Sequence, residues 1–337
     1  MDNLSIKGPV LVVGIGGAAG RLARQAAAQT GSECLLISND KSDLDDNRSI
    51  YVNTGAWLNP QVPKIRAFLA AKADQLRSAL EGFNTVVLIA NLAGRSGAAM
   101  APLVCDLASK RRDTTIISFA IMPFGFEKNR LFDAGVALRR VRSLSHSTII
   151  LDNDAFLDNN PGLAKEECHA LTNSAILQVI AGITSGRSSA CEGMNILATS
   201  VALQDSEESL RDSVSMLYSG MAGSDPVRRA VVYVTGGEKL PVGALNQLAS
   251  HARGIFKEEG TTEVAVVSSS PLVTTAAAAD NNGNGTRIHL VASATTKTRF
   301  DSYDPLGEII PAESHLDWDE PDSAPDIELA IPLVLRE

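Results

Sequence analysis

Ala90-Asn91-Leu92-Ala93-Gly94-Arg95-Ser96-Gly97-Ala98-Ala99-Met100-Ala101-Pro102 is a run of small residues set between two apolar stretches. It follows Val86 to Ile89 and leads into Leu103-Val104-Cys105. This order predicts a strand, a tight loop and a helix, an arrangement in which backbone N–H groups and a helix N-terminus meet phosphate. A second loop of the same kind, Gly14-Ile15-Gly16-Gly17-Ala18-Ala19-Gly20, follows the strand Val10–Val13 and opens an Ala-rich helix from Arg21 to Gln29. Taken alone it loosely fits the G-x-G-x-x-G dinucleotide fingerprint, with Asp40 about 20 residues on. A tight turn with no ligand is the plainer alternative.

Outward from these loops, apolar strands alternate with helical stretches. Cys34–Ile37, ending in Ser38-Asn39-Asp40, and then Val86–Ala90, Ile116–Ile121 and Thr148–Leu151 read as strands, with helices at 62–81 and 128–143. Such alternation predicts a parallel sheet covered on both faces. Glu166–Thr184 reads as one long helix, with Ile176, Val179, Ile180 and Ile183 at i, i+3, i+4 and i+7. Strands at Ile196–Val201, Ala230–Val234, Val264–Val267 and Ile288–Ala292, with a helix at 242–257, predict a smaller second α+β domain. Asp280-Asn281-Asn282-Gly283-Asn284-Gly285 is a turn or hairpin tip. The fold class is therefore α/β: a Rossmann-like parallel-sheet domain, a long central helix, and a smaller α+β C-terminal domain. The expected division is 1–165 for the nucleotide-binding domain, 166–190 for the central helix and 191–300 for the α+β domain.

Composition narrows the function classes. The chain has 337 residues, 45% of them apolar, and a formal net charge of −9. Residues 301–337 hold eleven acids and one base, so the remainder is close to neutral and no nucleic-acid partner is expected. Residues 301–325 read as an acidic disordered linker, too poor in apolar side chains to fold. An apolar cluster (Ile327, Leu329, Ile331, Leu333, Val334, Leu335) comes next, the layout of a short binding peptide at 326–337; a solubilising appendage is the bland alternative. Cys34, Cys105, Cys168 and Cys191 lack metal-ligand spacing and read as buried thiols of a reducing compartment, with no metal. With no apolar leader and no spanning segment, a cytoplasmic protein is expected.

Two small-residue loops, Asn59-Pro60, Pro123-Phe124-Gly125-Phe126-Glu127, Asn153-Asp154 and Thr235-Gly236-Gly237-Glu238-Lys239-Leu240 occur together in one order. In order and spacing they resemble the tubulin/FtsZ superfamily, and the chain is most similar to a divergent FtsZ-like cell-division protein from about Pro9 to Phe300. Asp326 to Arg336, with Ile331-Pro332 and Leu335-Arg336, resembles that family's C-terminal adaptor peptide. The resemblance implies GTP or GDP bound in the N-terminal domain, with Mg2+ as an accompanying ion. Gly16, Gly17 and Gly20 would pass close to the phosphates, with Gly94, Arg95, Ser96 and Gly97 on the other side and Asn39 and Asp40 nearby. Glu127 and Arg130 match ribose and phosphate contacts, one residue closer together than usual. Asn153 and Asn173 match positions near the base. His169 stands where an aromatic stacks on guanine, and stacking or an ordinary helix-surface role both remain open. Arg21 replaces a base-contacting asparagine.

The departures bear on hydrolysis. Ala93, Arg95 and Ala99 replace glycines of the family's Gly-Gly-Gly-Thr-Gly-Thr-Gly signature, and Ala98 replaces its second threonine; each added Cβ is expected to crowd the phosphate cradle. Three readings stand for Arg95: a bidentate phosphate clamp, a plug in the pocket, or a side chain in solvent. In the family, a neighbour's Asn-x-Asp-x-x-Asp loop polarises the attacking water. The aligned residues here, Met194 to Ser200, keep Asn195 but carry Leu197 and Ser200 in place of both acids, with Glu192, Asp205 and Glu207 as the nearby acids. The resemblance and its departures together imply a GTP-binding, head-to-tail assembling cytoskeletal protein of cell division with weak or absent self-stimulated hydrolysis. Its partners would be further copies or an ordinary FtsZ, and a division adaptor held through Ile327, Leu329, Ile331, Pro332, Leu333, Leu335 and Arg336, with membrane contact only through that adaptor. The alternative is a non-polymerising pseudo-GTPase scaffold. A nicotinamide-dependent oxidoreductase rests on the first loop alone.

Overall fold

Runs such as Leu11-Val12-Val13 and Val86-Val87-Leu88-Ile89 bury both alternating faces, as strands covered by helices on each side require. The computed structural model describes residues 3–4, 6–45, 48–55, 60–188, 190–200, 206–221, 227–235, 241–256, 261–267, 287–293 and 298–304. In chain order the strands are β1 (Asn3–Leu4), β2 (Val10–Ile15), β3 (Glu33–Ser38), β4 (Ser49–Tyr51), β5 (Thr85–Asn91), β6 (Thr115–Ile121) and β7 (Ser147–Leu151). They continue as β8 (Ala190–Cys191), β9 (Gly193–Thr199), β10 (Arg229–Thr235), β11 (Thr261–Val267) and β12 (Arg287–Ser293). The helices are α1 (Gly16–Thr30), α2 (Val62–Ala70), α3 (Ala73–Leu80), α4 (Arg95–Ser109), α5 (Lys128–Leu144), α6 (Asn153–Asn159), α7 (Lys165–Thr184), α8 (Ser206–Gly220) and α9 (Val242–Ile255).

Ten of these strands form one sheet in the order β11-β10-β12-β9-β7-β6-β5-β2-β3-β4. From β4 to β9 every neighbouring pair is parallel; β12 turns the direction by pairing antiparallel to both β9 and β10. The strands expected in a separate small domain therefore extend the first sheet, joined where Ile149 faces Asn195 and Leu151 faces Leu197. Helices α2 to α5 cover one face through Ile65, Leu69, Leu76, Val104 and Leu138, and α1 and α7 cover the other through Ala23, Ala26, Ile176, Val179 and Ile180. The apolar stripe expected on α7 is buried, and so are Leu171, Ala175 and Leu177 around it, which makes α7 a core helix rather than a one-sided one.

Three expectations change. The helix expected over 62–81 is two helices, broken at Ala71-Lys72. Helix α8 escapes hydrophobic periodicity because Ser209 and Ser213 stand on its buried face; the Ser213 hydroxyl donates to the carbonyls of Ser209 and Ile288. Asp301 to Asp304, assigned to the linker, belong to the folded body as the end of a 3-10 turn, Arg299–Tyr303. Phe300 and Tyr303 meet edge to face on α5, while Arg142 pairs with Asp301 at 2.7 Å and Arg139 with Asp304 at 3.0 Å. A charge-rich window conceals Tyr303 beside Phe300 and two carboxylates matched to arginines of α5, and these hold the segment. The acidic stretch 305–325, the peptide 326–337 with its seven named contact residues, Asn59, Gly236 to Leu240, Asp205 and the 280–285 turn lie outside the described residues. No helix among the described residues is long and apolar enough to cross a membrane.

Candidate functional site

Strand β2 lies between β3 and β5, and the chain leaves it on one side through α1 and reaches the other side only later. A sheet that reverses its order in this way opens a crevice at the carboxyl ends of the two diverging strands. Ile15 pairs with Ala90 there, and α1 and α4 start a few residues beyond. Among the described residues neither helix has a side-chain N-cap or an acid in its own first turn. Two sets of first-turn N–H groups thus point at one place without a capping partner, which is favourable ground for an anion. The turns nearly touch: a Cβ on Gly16, whose φ is +75°, would lie 3.4 Å from that of Ser96.

Beside this junction is a cavity of about 570 Å3. Asn39, Gly94, Arg95, Ser96, Asn129 and Arg130 line its polar wall together with Asp133; Pro60, Ile65, Leu92, Ala93 and Ala98 make the apolar part. Asn39 Oδ1 accepts from Ser96 Oγ at 2.5 Å, tying the end of β3 to the first turn of α4. Glu127 and Arg130, one residue closer together than the resemblance would have them, pair with each other. Arg130 reaches the cavity wall while its guanidinium holds Glu127 at 3.3 Å, and Lys165 pairs with the same carboxylate at 3.6 Å. Arg95 opens α4, is exposed and lines the cavity, so it does not plug it. Of the two alanines that replace glycine, Ala93 borders the cavity, as does Ala98 in place of threonine, whereas Ala99 is fully buried in the core and crowds no ligand. Gly97 is kept for packing, since any Cβ there would overlap the carbonyl of Asn91.

Several expected contacts lie elsewhere. Gly20 is buried in the helix–strand contact, its Cα 2.7 Å from where a Cβ on Gly14 would stand, and does not reach the crevice. Arg21 is exposed on α1. Asp40 caps the short 3-10 turn Lys41–Asp43 through Ser42 N at 2.9 Å, and that backbone hydrogen bond holds its carboxyl below the usual range. Glu127, Asn153, His169 and Asn173 do not border the cavity; the first three gather around the loop 122–127. Asn153, buried at the start of α6, donates to Met122 O at 2.9 Å, and its Oδ1 is buried without a partner. Phe124 stacks on the exposed Phe126 with ring centres 5.1 Å apart and takes the edge of His169 at 5.5 Å. Lys165 sits above both phenyl rings. His169 is half-buried on α7 and its basicity is lowered, first by burial and then by Lys165. Asn173 is half-buried one turn further along.

Sequence reading missed Asn129, Asp133 and Lys165. Asp133 stands three residues after Arg130 and four after Asn129, so a helix-face reading of α5 had the signal to group them.

The residues aligned with the hydrolytic loop require a correction. Asn195 and Leu197 lie in β9, the strand that joins the two halves of the sheet, and are fully buried. Ser200 comes directly after, fully buried, accepting from Ile288 N at 3.1 Å. Asn195 Nδ2 donates to Cys191 O at 2.9 Å and Ser147 Oγ at 3.2 Å. None of the three can meet a neighbouring molecule. The loop that does follow α7 is 185–192, whose one acid is the exposed Glu192. Glu207 pairs with His251 across 2.7 Å on α8 and α9. Because α7 is 20 residues, about 30 Å, long, the 185–192 loop and the α7 start near Phe124 stand at opposite ends of it.

Residues 9–161 match the GTPase domain of the Tubulin/FtsZ family. The chain is similar to Cell division protein FtsZ 1 of Pyrococcus woesei, 27% identical over 191 residues, covering 53% of this chain and 51% of that one. It is also similar to Cell division protein FtsZ of Methanothermobacter thermautotrophicus, 28% identical over 185 residues, covering 52% and 48%. It thus spans about half the length of the curated relatives it matches. Among solved structures, an empty FtsZ dimer from M. jannaschii superposes with a TM-score of 0.66 at 18% identity, covering 86% of this chain and 88% of that one. A GTPgS-bound CetZ2 protofilament from Haloferax volcanii gives 0.65 at 15% identity, covering 89% and 97%. At such identities the structures speak for the fold alone.

Proposed function

We infer, for a chain that belongs to the tubulin/FtsZ superfamily, that it binds a guanine nucleotide at the crevice between α1 and α4 and assembles head to tail. The observation that carries this reading is the pair of uncapped helix N-termini meeting at Gly16 and Ser96 beside a cavity with two arginines. Such donors suit a di- or triphosphate, with Arg95 and Arg130 supplying countercharge and Mg2+ accompanying the phosphates. In this proposal residues 1–165 carry the nucleotide and 191–300 the surface that meets the next copy.

Hydrolysis by the pure protein is slow or absent. Phosphoryl transfer depends on positioned charge around the attacking water, and the loop at the far end of α7 offers Glu192 alone. An ordinary FtsZ seated over this nucleotide could still supply acids. The proposed setting is cytoplasmic cell division, with residues 326–337 recruiting an adaptor. Equilibrium binding of GTP and GDP, light scattering and phosphate release test the reading together. Saturable binding and polymer without steady phosphate release are expected; no binding of either nucleotide overturns it.

A non-polymerising scaffold is the second reading. The pairing of Asn3–Leu4 with Ala190–Cys191 favours it, because it ties down the loop that would face the next copy. Nucleotide binding without polymer at any concentration selects this reading.

A further inference from the structure

The turn that follows β3 is seated on both helix N-termini. Asn39 bonds Ser96 in the first turn of α4, and four residues later Asp43 lies against the first turn of α1. A Cβ built on Gly17 would overlap Asp43 Oδ1 and would stand 2.9 Å from its carboxyl carbon and 3.2 Å from Oδ2. The carboxylate is held there by Ser38 Oγ, which donates to Oδ2 at 2.7 Å, while Arg24 ties down the Asp43 backbone carbonyl. The bare Cα of Gly17 leaves room for this carboxylate, so the α1 cradle already carries a negative group of the chain's own.

A phosphate at the same first turn would bring a second negative charge within a few ångströms, and like charges at that distance oppose each other wherever water is partly excluded. We propose that Asp43 sets the occupancy of the site: its carboxylate stands against the first turn of α1, and a nucleotide binds there only by displacing it. The inference rests on the nucleotide reading above and adds to it the residue that limits affinity.

The test compares GTP binding by the full-length wild type, Asp43→Asn, Asp43→Ala and Asp45→Asn. Asp45 pairs with Arg24 at 3.0 Å, two residues away, so its variant removes the same formal charge while leaving the Asp43 carboxylate over Gly17 as before. Both Asp43 variants are expected to bind GTP at least ten-fold more tightly, and Asp45→Asn to bind as the wild type does. Binding by the wild type with no gain in either Asp43 variant overturns this inference alone. An equal gain in Asp45→Asn also overturns it, since net charge would then be the cause. Binding by none of the four chains overturns the nucleotide reading and this inference together.

Discussion

A Cβ on Gly97 would overlap the carbonyl of Asn91, which belongs to the strand end that aims the whole small-residue loop. Backbone cannot move aside as a flexible side chain can, so Gly97→Ala is expected to cost about 2–3 kcal/mol through overpacking. The measurement is urea unfolding; a variant within experimental error of the wild type would remove the packing account. Neighbouring alanines tell the opposite story, because Ala99 fills core space and leaves the cavity untouched. His289 shows how a single buried group shapes acid stability. It is fully buried in β12, with Thr199 Oγ1 2.8 Å from Nδ1 and Nε2 unpartnered, and burial first, then Arg287, pushes its pKa down to about 3. The unfolded chain binds this proton at ordinary pH values and the folded chain does not. Stability present above about pH 6.5 is therefore lost as pH falls toward 3, by up to about 4–5 kcal/mol. His289→Gln should lose less stability than the wild type between pH 7 and 5; equal losses count against the assignment.

Between elements, Asp152 carries the opposite sign. It ends β7, caps α6 through Asp154 N and Ala155 N, and takes Arg299 from the 3-10 turn after β12. Burial raises its pKa to about 6 despite Arg299. With the folded value above the unfolded one, stability is greatest below pH 3.8 and falls as pH rises through about 6, by roughly 3 kcal/mol. Asp152→Asn can still cap α6, so the difference between wild type and variant isolates the titration; a difference flat from pH 4 to 7 refutes it. At this scale the sequence is uneven to read. The loops after β2 and β5 are legible because strand, glycines and helix are adjacent in the chain. β9 reads in two incompatible ways, as a strand at Ile196–Val201 and as a loop at Met194–Ser200, and the apolar run decides for the strand. A motif sought by position after the long helix has no acids to anchor its alignment. Asp43 against Gly17 is illegible altogether: 26 residues separate them, and only the folding of the turn after β3 brings them together.

Across the whole molecule, the ten-stranded sheet makes the two halves one body, and the 3-10 turn at Arg299–Tyr303 fastens its last described segment. Arg299 reaches Asp152 and, at 3.6 Å, Asp154, whose Oδ2 accepts from Gly125 N at 2.6 Å in the loop beside Glu127. Phe300 is buried in the same core cluster as α4 and α5, and Asp304 answers Arg139. A short C-terminal segment therefore supports the site loop from behind. Truncation after Asp304 keeps all of these contacts, whereas truncation after Thr298 removes them and strands Asp152 without its cation. The shorter chain should be less stable than the longer one by about 3–5 kcal/mol, the scale of one large buried aromatic or one broken buried ion pair. It should also bind GTP more weakly, because Gly125 and Glu127 lose their backing. Unfolding and nucleotide titration of the two truncations side by side measure both effects. Equal stability would mean that the folded body does not depend on this segment, and equal affinity that the loop 122–127 is held without it.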